Sequence, residues 1–336
     1  MSYSVCAVVV TFNRKNLLIE CLKALQKQTR PIQGIYLIDN ASTDGTPEIL
    51  LEKGYITELP PKDLKEPWEK EFEIKNLTDE APITLHYVRM HKNTGGAGGF
   101  YEGVKRGYEK SYDWLWLMDD DAEPKENALE KLSLHFSKNN VVALASLILL
   151  ENGDIAQNHR GKFNFKKIFP TIQTSLDLAN YKERVVEIDM SSFVGLIIRR
   201  EAVQAVGYPK KEFFIYHDDV EYCIRLKSLG KILLVLDSVI IHKENVRYET
   251  KYFLNRESKR RIGNITLVNY YNIRNLVWLG KRYSQNKLIF YLNLTKYISR
   301  LILGILIYDD DKFRRIKLVL KGCIDGLQGN FKNEGI

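Results

Sequence analysis

The sequence predicts an α/β fold: an open, mostly parallel sheet with helices on both faces, followed by a helical C-terminal region. Three observations carry that expectation. Continuous apolar runs of strand length recur through the first half, each ending in polar or acidic residues. Segments with apolar residues at helical spacing separate them, as in a succession of β-α units. From about residue 262 the chain becomes helical in pattern, rich in Tyr and Leu, and basic. In open sheets of this kind ligands gather outside the carboxyl ends of the strands.

Val5 to Thr11 is a buried-strand run that turns polar at Asn13 and Arg14. Leu17, Leu18, Cys21, Leu22 and Leu25 then recur at helical spacing. A second strand runs from Gly34 and ends at Asp39 and Asn40. The turn Ser42 to Thr46 opens a helix, with Pro47 near its first position. Residues 52–82 read as an irregular, charged insertion. Leu85 to Val88 is a third strand, followed by a glycine-rich loop from Asn93 to Phe100 and a helix. Trp114 to Met118 is a fourth strand and Val141 to Leu150 a further apolar segment. Phe193 to Ile198 and Ile232 to Ile241 are strand-like, with a helix around Asp218 and Asp219 between them. The expected division is a sheet domain over 1–250 and a basic helical region over 251–336.

Bulk properties bound the function. The chain has 336 residues and a formal charge of +8, which favours an anionic partner such as a nucleotide, a nucleic acid or an acidic membrane. Its four cysteines are scattered, without a CxxC pair, which disfavours structural zinc and favours a reducing cytoplasm. The N-terminus enters a strand pattern at once, so no signal peptide is expected. No nucleic-acid recognition motif accompanies the positive charge, and a site rich in aspartate repels phosphate unless a metal is present.

Two carboxylate clusters dominate the candidate chemistry. Asp119, Asp120 and Asp121 end the Trp114–Met118 run. Stacked acids at a buried strand end raise one another's pKa unless a cation intervenes. In an extended strand end, residues 119 and 121 point to one side. That suits a hard divalent cation, Mg²⁺ or Mn²⁺, shared with a phosphate. The alternative is a solvated strand end or a cap for the next helix. Asp218 and Asp219, with Glu221, begin a helical pattern. They are either acids well placed at a helix N-terminus or a general base presented from it. His242, after the last apolar strand, is either a structural histidine or a third metal ligand.

Weaker signals lie at other strand ends. Thr11 and Arg14 could hold a nucleotide base or phosphate; equally, this segment could cap the first helix. Asp39 could accept from a pyrimidine or ribose, or serve turn chemistry with Asn40, Ser42 and Asp44. Asn93, Gly95, Gly96, Gly98 and Gly99 form a loop with four glycines in five residues. Such a loop can aim amides at an anion or simply turn the chain. It has neither the GxGxxG spacing of a dinucleotide fingerprint nor the Lys-Ser/Thr of a Walker loop.

The order of these motifs is more specific than any one. Val8 to Arg14, then Asp39 to Gly45, then Asp119 to Asp121, then His217 to Glu221 resembles the family 2 inverting glycosyltransferases over roughly residues 4–245. Asn93 to Phe100 and Trp116 to Asp121 look most like the galactofuranosyltransferases, with rhamnosyltransferases close behind. Tyr270-Tyr271-Asn272-Ile273-Arg274-Asn275 is similar to a motif both groups carry.

The resemblance implies a GT-A fold. It also implies a UDP-galactofuranose donor, or dTDP-rhamnose in the alternative; a third possibility is a non-catalytic nucleotide-sugar binding module. By the same resemblance Asp119 and Asp121 match a DXD motif on the donor diphosphate, with Asp120 beside them and His242 as the metal histidine. Asp219 matches the catalytic base and Asp218 its neighbour. Thr11, Arg14 and Asp39 fall in the nucleotide pocket, and the loop from Asn93 to Gly99 lines the donor. The chain departs from the galactofuranan polymerases, whose large additional terminal domains have no counterpart in this sequence, and the resemblance gives His217 no role.

Leu288 to Tyr308 is strongly apolar but interrupted by Asn293, Lys296 and Arg300, which fits an element lying in a membrane surface better than one crossing it. With the basic residues Arg256, Lys259, Arg260, Arg261, Lys312, Arg314, Arg315 and Lys317, it suits a glycan or polyprenyl-linked acceptor at the inner face of the cell membrane. The same apolar helices could instead pair two copies of the chain.

Overall fold

The computed structural model describes residues 3–243, 248–253, 256–261 and 267–332. The chain divides into two compact units. The first comprises Met1–Lys162, Ser175–Lys211 and Asp219–Lys243; the second Phe163–Thr174, Glu212–Asp218 and Glu244–Ile336.

The first unit is built on one large sheet. Strand β1 (Val5–Thr11) is buried along its whole length. It lies between and parallel to β2 (Gly34–Asp39) and β5 (Trp114–Asp119). In that register Thr11 stands beside Asp39 and Val10 beside Asp119, so the polar ends of three strands meet at one edge. Strand β4 (Pro82–Arg89) continues the parallel order next to β2, placing Arg89 beside Asp39.

Beyond β4 lies an edge strand, β3 (Trp68–Lys75), antiparallel to it. This corrects the expectation that 52–82 is irregular. Phe72 and Ile74 alternate inward while Glu71, Glu73 and Lys75 face out. The charges that make the stretch look like a loop are those that protect an exposed sheet edge from pairing.

The other flank is mixed. It is made of β6 (Ala122–Pro124), β7 (Val141–Leu150), β10 (Val185–Ile188), β12 (Leu196–Arg199) and β13 (Lys231–His242), whereas the short β8 (Arg160–Phe163), β9 (Gln173–Ser175) and β11 (Met190–Ser191) lie outside this sheet. Strand β12 runs antiparallel between β5 and β7, and β13 lies parallel to β7. The end of β13 pairs with β6, which sets His242 opposite Ala122, the residue after Asp121.

Alternation along β1 explains why both sheet faces carry helices. Val5, Ala7 and Val9 join Leu18, Leu22 and Leu25 of α1 (Lys15–Gln26) in one core. Val8 and Val10 face α3 (Gly95–Glu109), with the short α2 (Thr46–Glu52) preceding it. Helix α3 can approach because it presents glycine: a Cβ on Gly103 would stand 2.2 Å from Cγ1 of Val8. The stretch expected to be a loop is therefore helical from Gly95 onward. Helices α4 (Ala128–Ser133), α5 (Arg200–Val206) and α6 (Asp218–Lys227) complete the series.

The second unit holds a hairpin of β14 (Tyr248–Phe253) and β15 (Arg256–Arg261), then α7 (Asn272–Tyr283), α8 (Lys287–Tyr308) and α9 (Lys312–Gln328). Ile273, Leu276, Val277 and Leu279 bury one side of α7. Gly326 of α9 lets the two helices close, since a Cβ there would stand 2.5 Å from the carbonyl oxygen of Arg274. Tyr270 donates to Asp325 at 2.7 Å and ties α9 to the turn before α7.

Candidate active site

Asp119, Asp121 and His242 offer ligand atoms that all lie within 4.8 Å of one another. Asp119 ends β5, Asp121 follows two residues on, and His242 ends β13. His242 Nε2 sits 3.0 Å from Oδ1 of Asp121, and Arg14 donates to Oδ2 of Asp121 at 2.5 Å.

The electrostatics follow from this crowding. Burial, then the charge of Asp121, raises the Asp119 carboxyl above its ordinary value. Burial also works to raise Asp121. There the hydrogen bond from His242 and the charges of His242 and Arg14 win, and that carboxyl is held below its usual range. The donor set fits a hard or borderline divalent cation: two carboxylates and an imidazole on a partly solvent-reachable edge. An additional positive charge would relieve the burial penalty on Asp119.

Asp120 faces a different set of groups. Thr11 donates to its Oδ2 at 2.7 Å, the Phe12 amide at 3.4 Å, and Arg14 reaches Oδ1 at 3.4 Å. Burial nevertheless raises it to about 6. Its role in this structure is to lock the end of β1 to the end of β5.

Asp39 is fully buried and has its oxygens occupied. Oδ1 accepts the Ser42 amide at 2.9 Å; Oδ2 accepts Tyr87 at 2.9 Å and Arg89 at 2.5 Å. Arg89, which the sequence reading passed over, is the cation this carboxylate holds.

The glycine-rich stretch is fastened to the same edge. Asn40 donates to Asn93 Oδ1 at 3.1 Å and to the Gly95 carbonyl at 2.9 Å, and accepts from the Thr94 amide at 2.9 Å. Gly98 lies against Thr94 and Gly99 against Val10, whereas a Cβ on Gly96 would meet nothing within 4 Å.

Asp219 stands in the first turn of α6 and accepts the Val220 amide at 2.7 Å. Burial lifts it to about 6, against the pull of helix amides and of Arg160. Arg160 is fully buried and donates to the carbonyls of Ser146, His159 and Val194 at 2.7 to 3.0 Å. His159 packs edge-on against His242, ring centroids 5.0 Å apart, and bonds Ser192 at 2.8 Å. His159 is the last residue before β8 and Arg160 the first residue in it, in an undistinguished polar stretch with no spacing that marks them in the sequence.

The second unit contains the segment that leads into α6. Phe214, Tyr216 and His217 have φ of 64°, 67° and 65°. Left-handed backbone costs an ordinary residue about 1–2 kcal/mol. Asn275 Nδ2 donates to the carbonyls of Phe213, Ile215 and Tyr216 at 2.9 to 3.0 Å. Arg274 donates to the carbonyls of Glu212 and Phe213 at 2.9 and 3.0 Å. His217 Nε2–H donates to Asn272 Oδ1 at 2.8 Å, and burial lowers the imidazole to about 4, so it is neutral. Asp218 follows, buried.

The C-terminal expectations fall on two kinds of residue. The side chains of Arg256, Lys259, Arg260 and Arg261 lie outside the described residues. Helix α8 is long and apolar enough to cross a membrane by length and composition, and it exposes Leu288, Ile289, Leu292, Leu303 and Leu306. In α9, Arg315 pairs with Asp310 at 2.6 Å and Phe313 is 84% exposed.

Comparison with known proteins agrees with this architecture. The family model described as glycosyl transferase family 2 matches residues 6–56 and 72–207, more than half of the chain. The gap it leaves falls in the charged stretch before Phe72. Galactofuranosyltransferase GlfT1 of Mycolicibacterium smegmatis is 27% identical over 229 residues, 67% of this chain and 66% of that protein. The chain thus spans about two thirds of that relative's length. Among solved structures, GalNAc-T7 with UDP, GalNAc and Mn²⁺ superposes with a TM-score of 0.59 at 15% identity, over 97% of this chain and 56% of that one. S. aureus TarS 1–349 in complex with UDP gives 0.55 at 14% identity, over 98% and 82%. At such identities the likeness speaks for the fold, and it is the GT-A-like fold expected from the motif order.

Proposed function

The chain belongs to glycosyl transferase family 2, and on that premise we propose that it is a divalent-cation-dependent inverting transferase. Its donor is UDP-galactofuranose and its acceptor a hydroxyl of a lipid-linked or surface glycan. The observation that carries the reading is the Asp119, Asp121 and His242 cluster at the carboxyl edge of the sheet, together with a likeness to a galactofuranosyltransferase.

The chain's own residues divide the work. Asp119, Asp121 and His242 would hold a divalent cation, whose charge would offset that of the donor diphosphate. Arg14 and Thr11 order that edge through Asp120 and Asp121. The segment from Asn93 to Gly99, fixed by Asn40, lines the donor. Asp219 accepts the proton of the acceptor hydroxyl as its oxygen bonds to the anomeric carbon. The bond from that carbon to the diphosphate breaks on the opposite side, UDP leaves with the electron pair, and configuration inverts. A carboxyl poised near pH 6 by burial is ionised at neutral pH yet basic enough to receive that proton. Asp218 supports its neighbour at the start of the helix.

The protein works at the inner face of the cell membrane, with the exposed apolar side of α8 and the cations of α9 against anionic lipid. Flotation with phosphatidylglycerol vesicles tests that placement: binding supports it, and absence of binding at low salt contradicts it.

The donor reading is tested by UDP release from UDP-galactofuranose in the presence of Mn²⁺ and an alkyl galactofuranoside acceptor. UDP-galactopyranose and dTDP-rhamnose are run alongside. Release from UDP-galactofuranose alone supports it. Turnover of dTDP-rhamnose in its place moves the protein to the rhamnosyl branch.

A further inference from the structure

Among the described contacts, the motif Tyr270-Tyr271-Asn272-Ile273-Arg274-Asn275 touches none of the carboxylates of the candidate active site; its one carboxylate partner there is Asp325 of α9. It is nevertheless fully engaged. Arg274 and Asn275 have no solvent exposure. Arg274 Nη2 donates to the backbone carbonyls of Glu212 and Phe213, and Asn275 Nδ2 to those of Phe213, Ile215 and Tyr216. Arg274 is further held over the rings of Tyr271 and Phe331, 4.9 and 5.0 Å from their centroids. Asn275 Oδ1 accepts from Arg274 Nε at 3.0 Å, which fixes the amide so that its nitrogen faces the carbonyls.

The segment so gripped is unusual. Three of its residues, none a glycine, are left-handed, and they occur within four positions. Such a conformation persists only where surrounding groups over-determine it. A free turn here would relax toward ordinary backbone angles. Two residues after this turn comes Asp219, in the first turn of α6. The direction of that first turn is set by the backbone that enters it.

We infer that Asn275 and the Asn272–His217 pair are positioning residues, which hold the 213–217 turn left-handed and so aim the first turn of α6 that carries Asp219. The inference rests on the reading of Asp219 as the base. Chemistry makes it directional. Asn275 must donate, because it faces carbonyls. Asn272 must accept, because His217 presents Nε2–H to it.

The test uses the full chain as wild type, D219N, N272A, N272D, N275A and N275D. Three quantities are read: UDP affinity with Mn²⁺ by calorimetry, thermal midpoint, and kcat and KM for UDP-galactofuranose with an alkyl galactofuranoside. If the wild type turns over dTDP-rhamnose instead, that donor is used. N272A should lower kcat at least tenfold while UDP affinity stays within twofold. N272D keeps an acceptor oxygen for His217 and should recover at least half of the wild-type kcat. N275D, equal in size but unable to donate, should fall as far as N275A. Wild-type kcat in N272A and N275D, with D219N inactive, overturns the inference and leaves the base reading standing. So does N272D falling as low as N272A. Turnover retained by D219N overturns the base reading, and the inference falls with it. If the buried Asn275 variants show no folding transition, the Asn272 pair decides alone.

Discussion

His242, the last residue of β13, places Nε2 3.0 Å from Oδ1 of Asp121, although the two lie 121 positions apart in the chain. The pairing of β13 with β6 makes this contact, since His242 stands opposite Ala122. A histidine from one flank of the sheet thereby joins two aspartates from its centre.

That contact makes a first prediction. Substituting Asp121→Asn or His242→Ala should lower Mn²⁺-dependent UDP affinity by at least ~10-fold, as loss of ligating groups does. Affinity measured with EDTA should change little. Titration of each variant with and without metal reads the difference directly.

Asp219→Asn should lower kcat by about 100- to 10,000-fold, the usual worth of a positioned base, and leave UDP affinity intact. In the wild type, kcat should fall with acid through an apparent pKa near 6, because protonated Asp219 cannot accept a proton. A profile flat from pH 5 to 8 would remove Asp219 from the chemical step.

The same shift has a stability consequence of defined sign. Burial raises Asp219 above the ordinary aspartate value, so the fold binds its proton more tightly than the unfolded chain does. Its favourable contribution is complete below the unfolded pKa and is lost as pH rises through about 6. Asp219→Asn should therefore raise the thermal midpoint at pH 7, and the gain should vanish near pH 4. Such a trade of stability for activity is common at active sites.

Thr11→Val leaves buried Asp120 without its shortest hydrogen bond, 2.7 Å from Thr11 Oγ1. The cost should be about 1–3 kcal/mol in denaturant unfolding at pH 7.

Gly103→Ala should destabilise by about 1–3 kcal/mol, because the added methyl would stand 2.2 Å from Val8 Cγ1. Gly96→Ala, where a Cβ meets nothing within 4 Å, should leave the unfolding midpoint near wild type.

Much of this was legible in the sequence for a physical reason. Buried parallel strands such as Val5–Thr11 and Trp114–Asp119 must be apolar throughout, and their polar ends must face solvent or ligand, so strand and site announce themselves together. Edge strand Trp68–Lys75 hid behind the charges that guard it. Arg160 and His159 carry no spacing signal, because only folding brings them to Asp219 and His242. The glycines from Gly95 read as a loop, whereas Gly99 serves the packing of a helix on Val10. The grip of Asn275 was illegible because its partners are backbone carbonyls some sixty residues away, which no residue type marks.

The most direct measurement is calorimetric titration of the full chain with UDP and with dTDP, each in Mn²⁺ and in EDTA. Binding of UDP should be tight with Mn²⁺, weakened at least ~10-fold by EDTA, and stronger than that of dTDP. Equal UDP affinity with and without metal would contradict the cation site at Asp119, Asp121 and His242, and binding of neither nucleotide would contradict the donor site as a whole.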